Sequence, residues 1–401
     1  MSQADPAHAV TLGTVLDPAE IVGSDVDEFG PLQIVRFENP DIGASAIYVS
    51  HNISRGPAIG GCRFASDVQP REVYELARAM TWKNAAALIP HGGAKSAIVA
   101  DPADFPQGSD KRRALIEWYA DCIAPYTDYI PGPDMGTDER DMDIIFERSG
   151  RSIGRSGGIP LDQLGLTALG VLHSFRLLVE GGFVPGLERI ENSRMAIEGF
   201  GNVGAALARF VDQEGVRVVA VSDLPDAGRD YGGVVYHTDG LDLSKLHALR
   251  DAGKSVIDTD QPGVEVHRGR GELKRLFSYE TDVLVPAART NSVDADLASE
   301  LKTKLILEAA NGPLTFEAEE RCHERGIIVG VDYIVNCGGV IGGAEGWAEL
   351  QRPLGQLRIP SAVARILTAV SKNMPAIHDL SRSEGIMPRH AATAIVRPRI
   401  A

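Results

Sequence analysis

SRMAIEGFGNVGAALARFVDQEGVRVVAVSD, residues 193–223, reads as a strand, a tight turn, a helix and a second strand. An apolar run ends at Gly199, VGAALARFVDQEG repeats apolar residues at helical spacing, and VRVVAVSD has the β-branched texture of a strand buried on both faces. Gly199, Gly201 and Gly204 form G-x-G-x-x-G across the turn, with Asn202 and Val203 between them. In that setting the first glycine makes the turn and the second lets a pyrophosphate approach the backbone. The third lets helix and strand pack closely, and the helix N-terminus supplies N–H donors. Asp223 closes the second strand, where a carboxylate bonds the ribose hydroxyls of NAD. A 2′-phosphate wants a cation there, and the first basic residue after Asp223 is Arg229, so NAD is expected over NADP. A glycine-rich turn that binds no dinucleotide, with a solvated aspartate at 223, is the competing reading.

Outward from this unit the same texture repeats. LTALGVLHSFRLLVEGG reads as a long helix entering the region, and TDVLVPAA, KLILEAANG and GIIVGVDYIVN read as further short strands punctuated at their ends. Strands alternating with helices predict a doubly wound parallel sheet. Upstream, LQIVRF (32–37) and ASAIYVS (44–50) predict a hairpin, a helix starts near Pro70, SAIVA (96–100) is a buried strand, and KRRALIEWYADCIAPY (111–126) is helical. Residues 1–30 read as irregular and acidic. The chain is therefore expected to be α/β with two domains: an N-terminal unit over 1–160, a Rossmann-type unit over 161–338, and a helical segment over 339–401 packing back on the first.

The 401 residues carry a net charge of −15, 44% hydrophobic residues and 43 glycines. An acidic chain argues against nucleic acid or an anionic membrane as partner. No apolar run reaches membrane-spanning length, and no basic segment leads into an apolar one at the start. Cys62, Cys122, Cys322 and Cys337 are scattered, without metal-ligand spacing, which reads as reduced thiols in a cytoplasmic protein with no metal.

Two lysines interrupt apolar surroundings. Lys83 falls in line with Val73, Leu76, Met80 and Ala87 on one helical stripe. Its stem snorkels to the surface, or its ammonium meets an anion in a cleft. Lys95 follows Gly92-Gly93-Ala94, where little bulk keeps a ligand from the backbone, and it leads into a buried strand. Desolvation and a second cation nearby would loosen its proton and make it a general base. Asp134 sits in the loop YIPGPDMGT, where a turn or N-cap role is the plainer reading.

GPAIGGCR (56–63), MTWKNAAA (80–87), GGAK (92–95), GPDMGTDERDMD (132–143), GFGNVG (199–204), VPAA (285–288), EAANGPLT (308–315) and NCGGV (336–340) occur in order between about 30 and 350. Together these eight blocks resemble the glutamate/leucine/phenylalanine/valine dehydrogenases. The resemblance implies a substrate and oligomerisation domain, a Rossmann domain and a cleft between them. It implies reversible NAD(P)-linked oxidative deamination of an amino acid to a 2-oxo acid and ammonia, in a homo-oligomer. Carried over motif by motif, Lys83 binds the substrate α-carboxylate, Lys95 activates the attacking water and Asp134 carries protons to and from the amino group. Thr167, Ala288, Asn311 and Asn336 fall on the cofactor side, and Gly60 and Gly61 on the substrate side. Ala97, two places after Lys95, replaces a usual glycine or valine, and His91 stands where relatives often have a larger apolar residue.

Glutamate-specific members carry a lysine where this chain has Ile59, and a serine where alignment through Trp347 places Gly343. Burying a second carboxylate against Ile59 costs several kcal/mol, roughly a thousandfold or more in affinity. An apolar substrate is therefore expected, phenylalanine or leucine first, in a pocket lined by Ile59, Met80, Gly132, Val340 and Gly343, with room left by the two glycines. Gly132 resembles phenylalanine-preferring relatives and Val340 leucine-preferring ones. Three rivals stand beside this reading: a glutamate dehydrogenase that holds the distal carboxylate differently, a regulatory relative that has lost catalysis, and a hydroxy-acid dehydrogenase.

Overall fold

The computed structural model describes residues 13–23, 26–226, 230–350 and 359–400, and they divide into two compact units. The first comprises the described residues of 1–160, 342–359 and 396–401, and the second those of 161–341 and 360–395. Of the described residues of 339–401, those of 342–359 and 396–401 group with the first unit and those of 339–341 and 360–395 with the second, which takes almost all of the long helix Ile359–Glu384.

The first unit holds a sheet of β1 (Thr14–Leu16), β2 (Gln33–Asn39), β3 (Ala44–Asn52), β4 (Ala58–Phe64), β5 (Gly93–Val99) and β6 (Tyr129–Pro133), in the order β1-β2-β3-β5-β4-β6. The expected irregular start falls outside the described residues at 1–12 and 24–25; between them lie β1 and a short helix, Pro18–Val22, capped by Asp17. β2 and β3 form the hairpin, while β5, β4 and β6 run parallel through two helical crossovers, Pro70–Ala86 and Asp110–Ile123.

Alternation along the parallel strands separates two faces. Ala58, Cys62, Phe64, Ala94, Ile98 and Tyr129 join Leu115, Ile116, Tyr119 and Ile123 in one core. Ile59, Gly61, Arg63, Lys95 and Gly132 alternate with them and face the other way. Helix Pro70–Ala86 buries Val73, Tyr74, Ala77, Thr81, Asn84 and Ala85, so the buried stripe runs one position aside from the expected one. Lys83 and Met80 lie half-buried on its shoulder. The cause is close packing at its C-terminal half: a Cβ on Gly93 would sit 2.1 Å from the Thr81 amide nitrogen, so the helix backbone lies directly on β5 there. Asn84 Nδ2 donates there to Gly92 O at 2.6 Å and Ile59 O at 3.2 Å.

The second unit holds β7 (Arg194–Glu198), β8 (Arg217–Asp226), β9 (Tyr231–Tyr236), β10 (Glu265–Arg268), β11 (Val283–Pro286), β12 (Leu305–Leu307) and β13 (Ile328–Gly330), ordered β10-β9-β8-β7-β11-β12-β13. From β8 to β13 the strands are parallel, as expected, but β9 and β10 are antiparallel and the sheet is mixed. The link from β8 to β9 is a few residues long, and a parallel return needs a crossover of a dozen or more. The second half of GIIVGVDYIVN is a helical turn, Asp332–Val335, rather than strand. The sheet is Rossmann-type in strand order, with its third position reversed.

Candidate active site

Lys95 is the third residue of β5, inside the strand rather than before it, and only 6% exposed. Its Nζ lies 2.7 Å from Asp134 Oδ2. The same oxygen lies 3.3 Å from Arg63 Nε, and Arg63 Nη1 reaches Glu72 Oε1 at 2.5 Å. The charge in contact with Lys95 is thus a carboxylate, and a second cation, Arg63, shares its oxygen. Burial by itself raises the Asp134 carboxyl, but the Lys95 charge and hydrogen bond and the Arg63 charge outweigh it and hold it below the ordinary value.

The loop after β6 holds this carboxylate in place. Thr137 Oγ1 donates to Cys62 O at 2.8 Å and accepts the Asp134 N–H at 2.9 Å. Gly136 has φ +83°, and a Cβ there would meet Phe64 O at 2.1 Å. Arg112 bonds Gly136 O at 2.7 Å and pairs with buried Asp141. The N-cap of helix Glu139–Ser149 is Asp138, in a capping box with Asp141, which leaves Asp134 for Lys95.

The glycines nearby act differently from their expected roles. A Cβ on Gly92 would sit 1.9 Å from Asn52 O, and one on Gly60 would sit 1.6 Å from Ala94 O. Gly60, Gly92 and Gly93 therefore let backbone meet backbone, and the space before Lys95 that sequence left to a ligand is filled by protein. Gly61 is the exception: its missing Cβ points at Lys95 Nζ, 3.1 Å away, and at Asp134 Cβ, 2.8 Å away. The room expected above Gly132 and Gly343 is also taken, by Ile153. Its Cγ1 lies 2.9 Å from the Gly132 Cβ position and its Cδ1 2.6 Å from that of Gly343. Ile59 is 1% exposed. His91 is buried and donates from Nδ1 to Pro57 O at 2.8 Å, a link between segments.

In the second unit the turn glycines have the geometry a dinucleotide needs. Gly199 has φ +91°, a Cβ on Gly204 would meet Gly199 O at 2.0 Å, and in front of Gly201 there is nothing within 4 Å. Ala288 flanks this turn, 3.1 Å from the Gly199 Cβ position. Asn202 is tethered, donating to Asp162 Oδ2 at 2.7 Å and accepting from Arg250 at 2.9 Å, and Val203 is half-buried behind it. Asp223 is half-buried in β8, which runs three residues past the expected end to Asp226; it accepts the Val256 N–H at 3.4 Å and is raised in pKa mainly by burial. Arg229, to which the cofactor expectation referred, lies outside the described residues.

Asn336 is 3% exposed and donates from Nδ2 to Ala309 O, Ala310 O and Asn311 Oδ1 at 3.0–3.3 Å. Its Oδ1 is buried with no partner among the described residues, an acceptor suited to a carboxamide N–H. Thr167 Oγ1 lies 3.1 Å from the Gly339 Cβ position, and Val340 is half-buried. These residues fit a nicotinamide dinucleotide. Among the described residues no group of three or more His, Cys, Asp or Glu is placed to hold a metal, and no helix is long and apolar enough to cross a membrane.

Sequence reasoning passed over Arg63, Ile153 and Glu198. Arg63 stands in a quoted block, two residues from Gly61, and its alternation with Gly61 was the available signal. Glu198, just before Gly199, accepts from Ser292 at 2.8 Å and is pushed up to about 6 by burial. Only an isoleucine in a loop marks Ile153 in the sequence.

A family model described as Glutamate/Leucine/Phenylalanine/Valine dehydrogenase matches residues 157–393, and one described as Glu/Leu/Phe/Val dehydrogenase, dimerisation domain, matches residues 31–150. The NADP-specific glutamate dehydrogenase of Saccharolobus shibatae is 34% identical over 313 residues, 75% of this chain and 70% of that protein. The hetero-hexameric glutamate dehydrogenase from Thermus thermophilus, solved with Leu bound, superimposes with a TM-score of 0.77 at 26% identity, covering 92% of this chain and 88% of its own. L-tryptophan dehydrogenase from Nostoc punctiforme, at 22% identity and a TM-score of 0.65 over 90% of this chain and 93% of its own, shares the fold.

Proposed function

The chain belongs to the glutamate/leucine/phenylalanine/valine dehydrogenase family, amino acid dehydrogenases acting on the CH–NH2 group with a nicotinamide cofactor, and from that premise we propose that it carries out reversible, NAD-linked oxidative deamination of an apolar L-amino acid. The observation that carries the apolar reading is Ile59. It is 1% exposed on the sheet face that presents Lys95, so the position that bears a lysine in glutamate-specific members holds no charge for a distal carboxylate. Gly343 likewise brings no hydroxyl.

The ammonium of Lys83, on the shoulder of its helix, takes the substrate α-carboxylate. A bound nicotinamide dinucleotide supplies the acceptor for the hydride leaving Cα. Asp134, held anionic below its ordinary pKa, accepts a proton from the substrate nitrogen as the imine forms. Once that proton has gone on to solvent, Asp134 takes one from the Lys95 ammonium; the neutral Lys95 amine orients water and takes its proton as oxygen bonds to the imine carbon, and Asp134 returns a proton to the departing ammonia. The 2.7 Å contact lets a proton pass between the two groups. In the second unit, Gly199, Gly201, Gly204 and the helix start at Asn202 would hold the pyrophosphate. Asp223 would bond the adenosine ribose, Thr167, Ala288 and Asn311 would flank the cofactor, and Asn336 would accept from the carboxamide. The match to a dimerisation domain supports a homo-oligomer, and a cytoplasmic location is in keeping with four buried, unbridged cysteines.

The likeness to an NADP-specific glutamate dehydrogenase favours a second reading, glutamate with NADP. Initial rates with the twenty amino acids, each with NAD and with NADP, decide between them. Fastest turnover of leucine, valine or phenylalanine with NAD is expected. Glutamate turned over far faster than any of these overturns the substrate assignment, and NADP preferred by tenfold overturns the cofactor assignment.

A further inference from the structure

β4 and β6 are parallel neighbours, with Gly61 paired to Gly132 and Ile59 to Ile130. Paired residues on adjacent strands point to the same face. The missing Cβ of Gly61 faces Lys95 Nζ and Asp134, so the missing Cβ of Gly132 opens on the same face one strand away, about 4.8 Å across. A substrate whose amino group reaches Asp134 projects its side chain onto this part of the sheet. The space there belongs to Ile153, whose side chain meets the Cβ positions of both Gly132 and Gly343 within 3 Å.

Ile153 is not free to withdraw. Its N–H donates to Pro131 O at 2.9 Å, beside Gly132 in β6. On one side Ser152 Oγ donates to Met142 O at 2.8 Å, and just before it Arg151 bonds Tyr129 O and Ala124 O. Ile59, Ile130 and Ile153 are 1%, 0% and 8% exposed, an apolar wall without an ionisable group.

We propose that Ile153 sets the depth of the substrate side-chain pocket and selects branched aliphatic amino acids of leucine or valine size over aromatic ones. This rests on the apolar reading of the preceding subsection and narrows it. The glycines at 132 and 343 do not provide depth for a phenyl ring; they accommodate the isoleucine.

The test compares wild type, I153V and I153A for kcat/KM on leucine, phenylalanine and glutamate, with thermal melting as the control for folding. The wild type is expected to favour leucine over phenylalanine. I153A is expected to raise the phenylalanine-to-leucine ratio by at least about tenfold, the order set by adding methylene-sized space to an apolar pocket. I153V is expected to raise it by about threefold, and it decides the matter alone if I153A does not fold. A wild type that turns over glutamate fastest sinks the apolar reading itself. A wild type active on apolar amino acids, with the ratio unmoved in the folded variants, overturns the role of Ile153 and leaves that reading standing.

Discussion

Gly61→Ala places a methyl group between the two groups proposed to do the chemistry. The added Cβ would lie 2.8 Å from Asp134 Cβ, 3.0 Å from Pro133 O and 3.1 Å from Lys95 Nζ, against ordinary contact from 3.4 Å upward. Lys95 Nζ is the end of a flexible side chain and yields easily. Asp134 does not, because the Thr137 hydroxyl ties its loop to Cys62 and Arg112 ties it at Gly136. Something near Asp134 must move by about 0.6 Å, which exceeds the roughly 0.5 Å tolerance of a catalytic constellation. A displacement of 1 Å costs about a hundredfold, so kcat is expected to fall about 10- to 100-fold, or ~1.4–2.7 kcal/mol of transition-state stabilisation. The groups proposed to hold the dinucleotide all lie in the second unit, so NADH binding followed by fluorescence should stay within twofold of wild type. G60A is the contrasting variant. Its Cβ would lie 1.6 Å from a backbone carbonyl, and that protein should fail to fold. A well-folded G61A enzyme with wild-type kcat would refute the placement of Lys95 and Asp134 at the reacting centre. A loss of NADH binding equal to the loss of kcat would show that the damage is not local.

Two further outcomes are expected from the second unit. Arg389 bonds Glu319 at 2.5 Å, Glu308 at 2.8 Å and Asp332 at 3.1 Å, and is the cation for three carboxylates on the elements that flank the Asn311 turn. Burial raises Glu308 well above its ordinary pKa, and Arg389 opposes that rise. A carboxyl raised in the folded state favours folding below its unfolded pKa, and that stability is lost as pH climbs through the folded value. R389M raises Glu308 further, so its stability deficit should grow from pH 5 to pH 8, reaching about 3–5 kcal/mol; urea unfolding at both pH values measures it, and a deficit that is flat with pH, unrelieved by adding E308Q, counts against the assignment. D223S should weaken NADH binding and leave NADPH binding nearly unchanged, lowering the NAD/NADP ratio of kcat/KM by about tenfold; equal losses on both cofactors would remove Asp223 from the ribose site.

Much of the second unit is legible in the sequence because its signals are local. The turn at Gly199, the helix after it and the strand ending near Asp223 each depend on torsions and apolar spacing within a dozen residues. The reversal of β9 was open to the same reasoning, since so short a link from β8 permits only an antiparallel return. Helix Pro70–Ala86 shows how a correct element can carry a misplaced face. Val73-Leu76-Met80-Lys83 follows apolar character, yet beyond Val73 the helix rests on Ala77, Thr81 and Asn84, and Gly93 of β5 brings its backbone close at Thr81.

The candidate site was legible in its residue types and not in its contacts. Lys95 and Asp134 were assigned through a resemblance spread over eight blocks, not through spacing. That Arg63 shares the Asp134 oxygen with Lys95 depends on β4 and β5 being neighbours, with Gly61 opposite Gly132 on the other side. The sequence by itself determined the strand, glycine turn, helix and strand over 193–223, and that the position of Ile59 carries no charge. The tertiary structure alone decided that a carboxylate faces Lys95, that the bare glycines before it receive backbone, and that Ile153 occupies the space above Gly132. The reason is register: a one-residue slip between neighbouring strands would turn every one of these side chains to the opposite face, and no local pattern encodes that alignment.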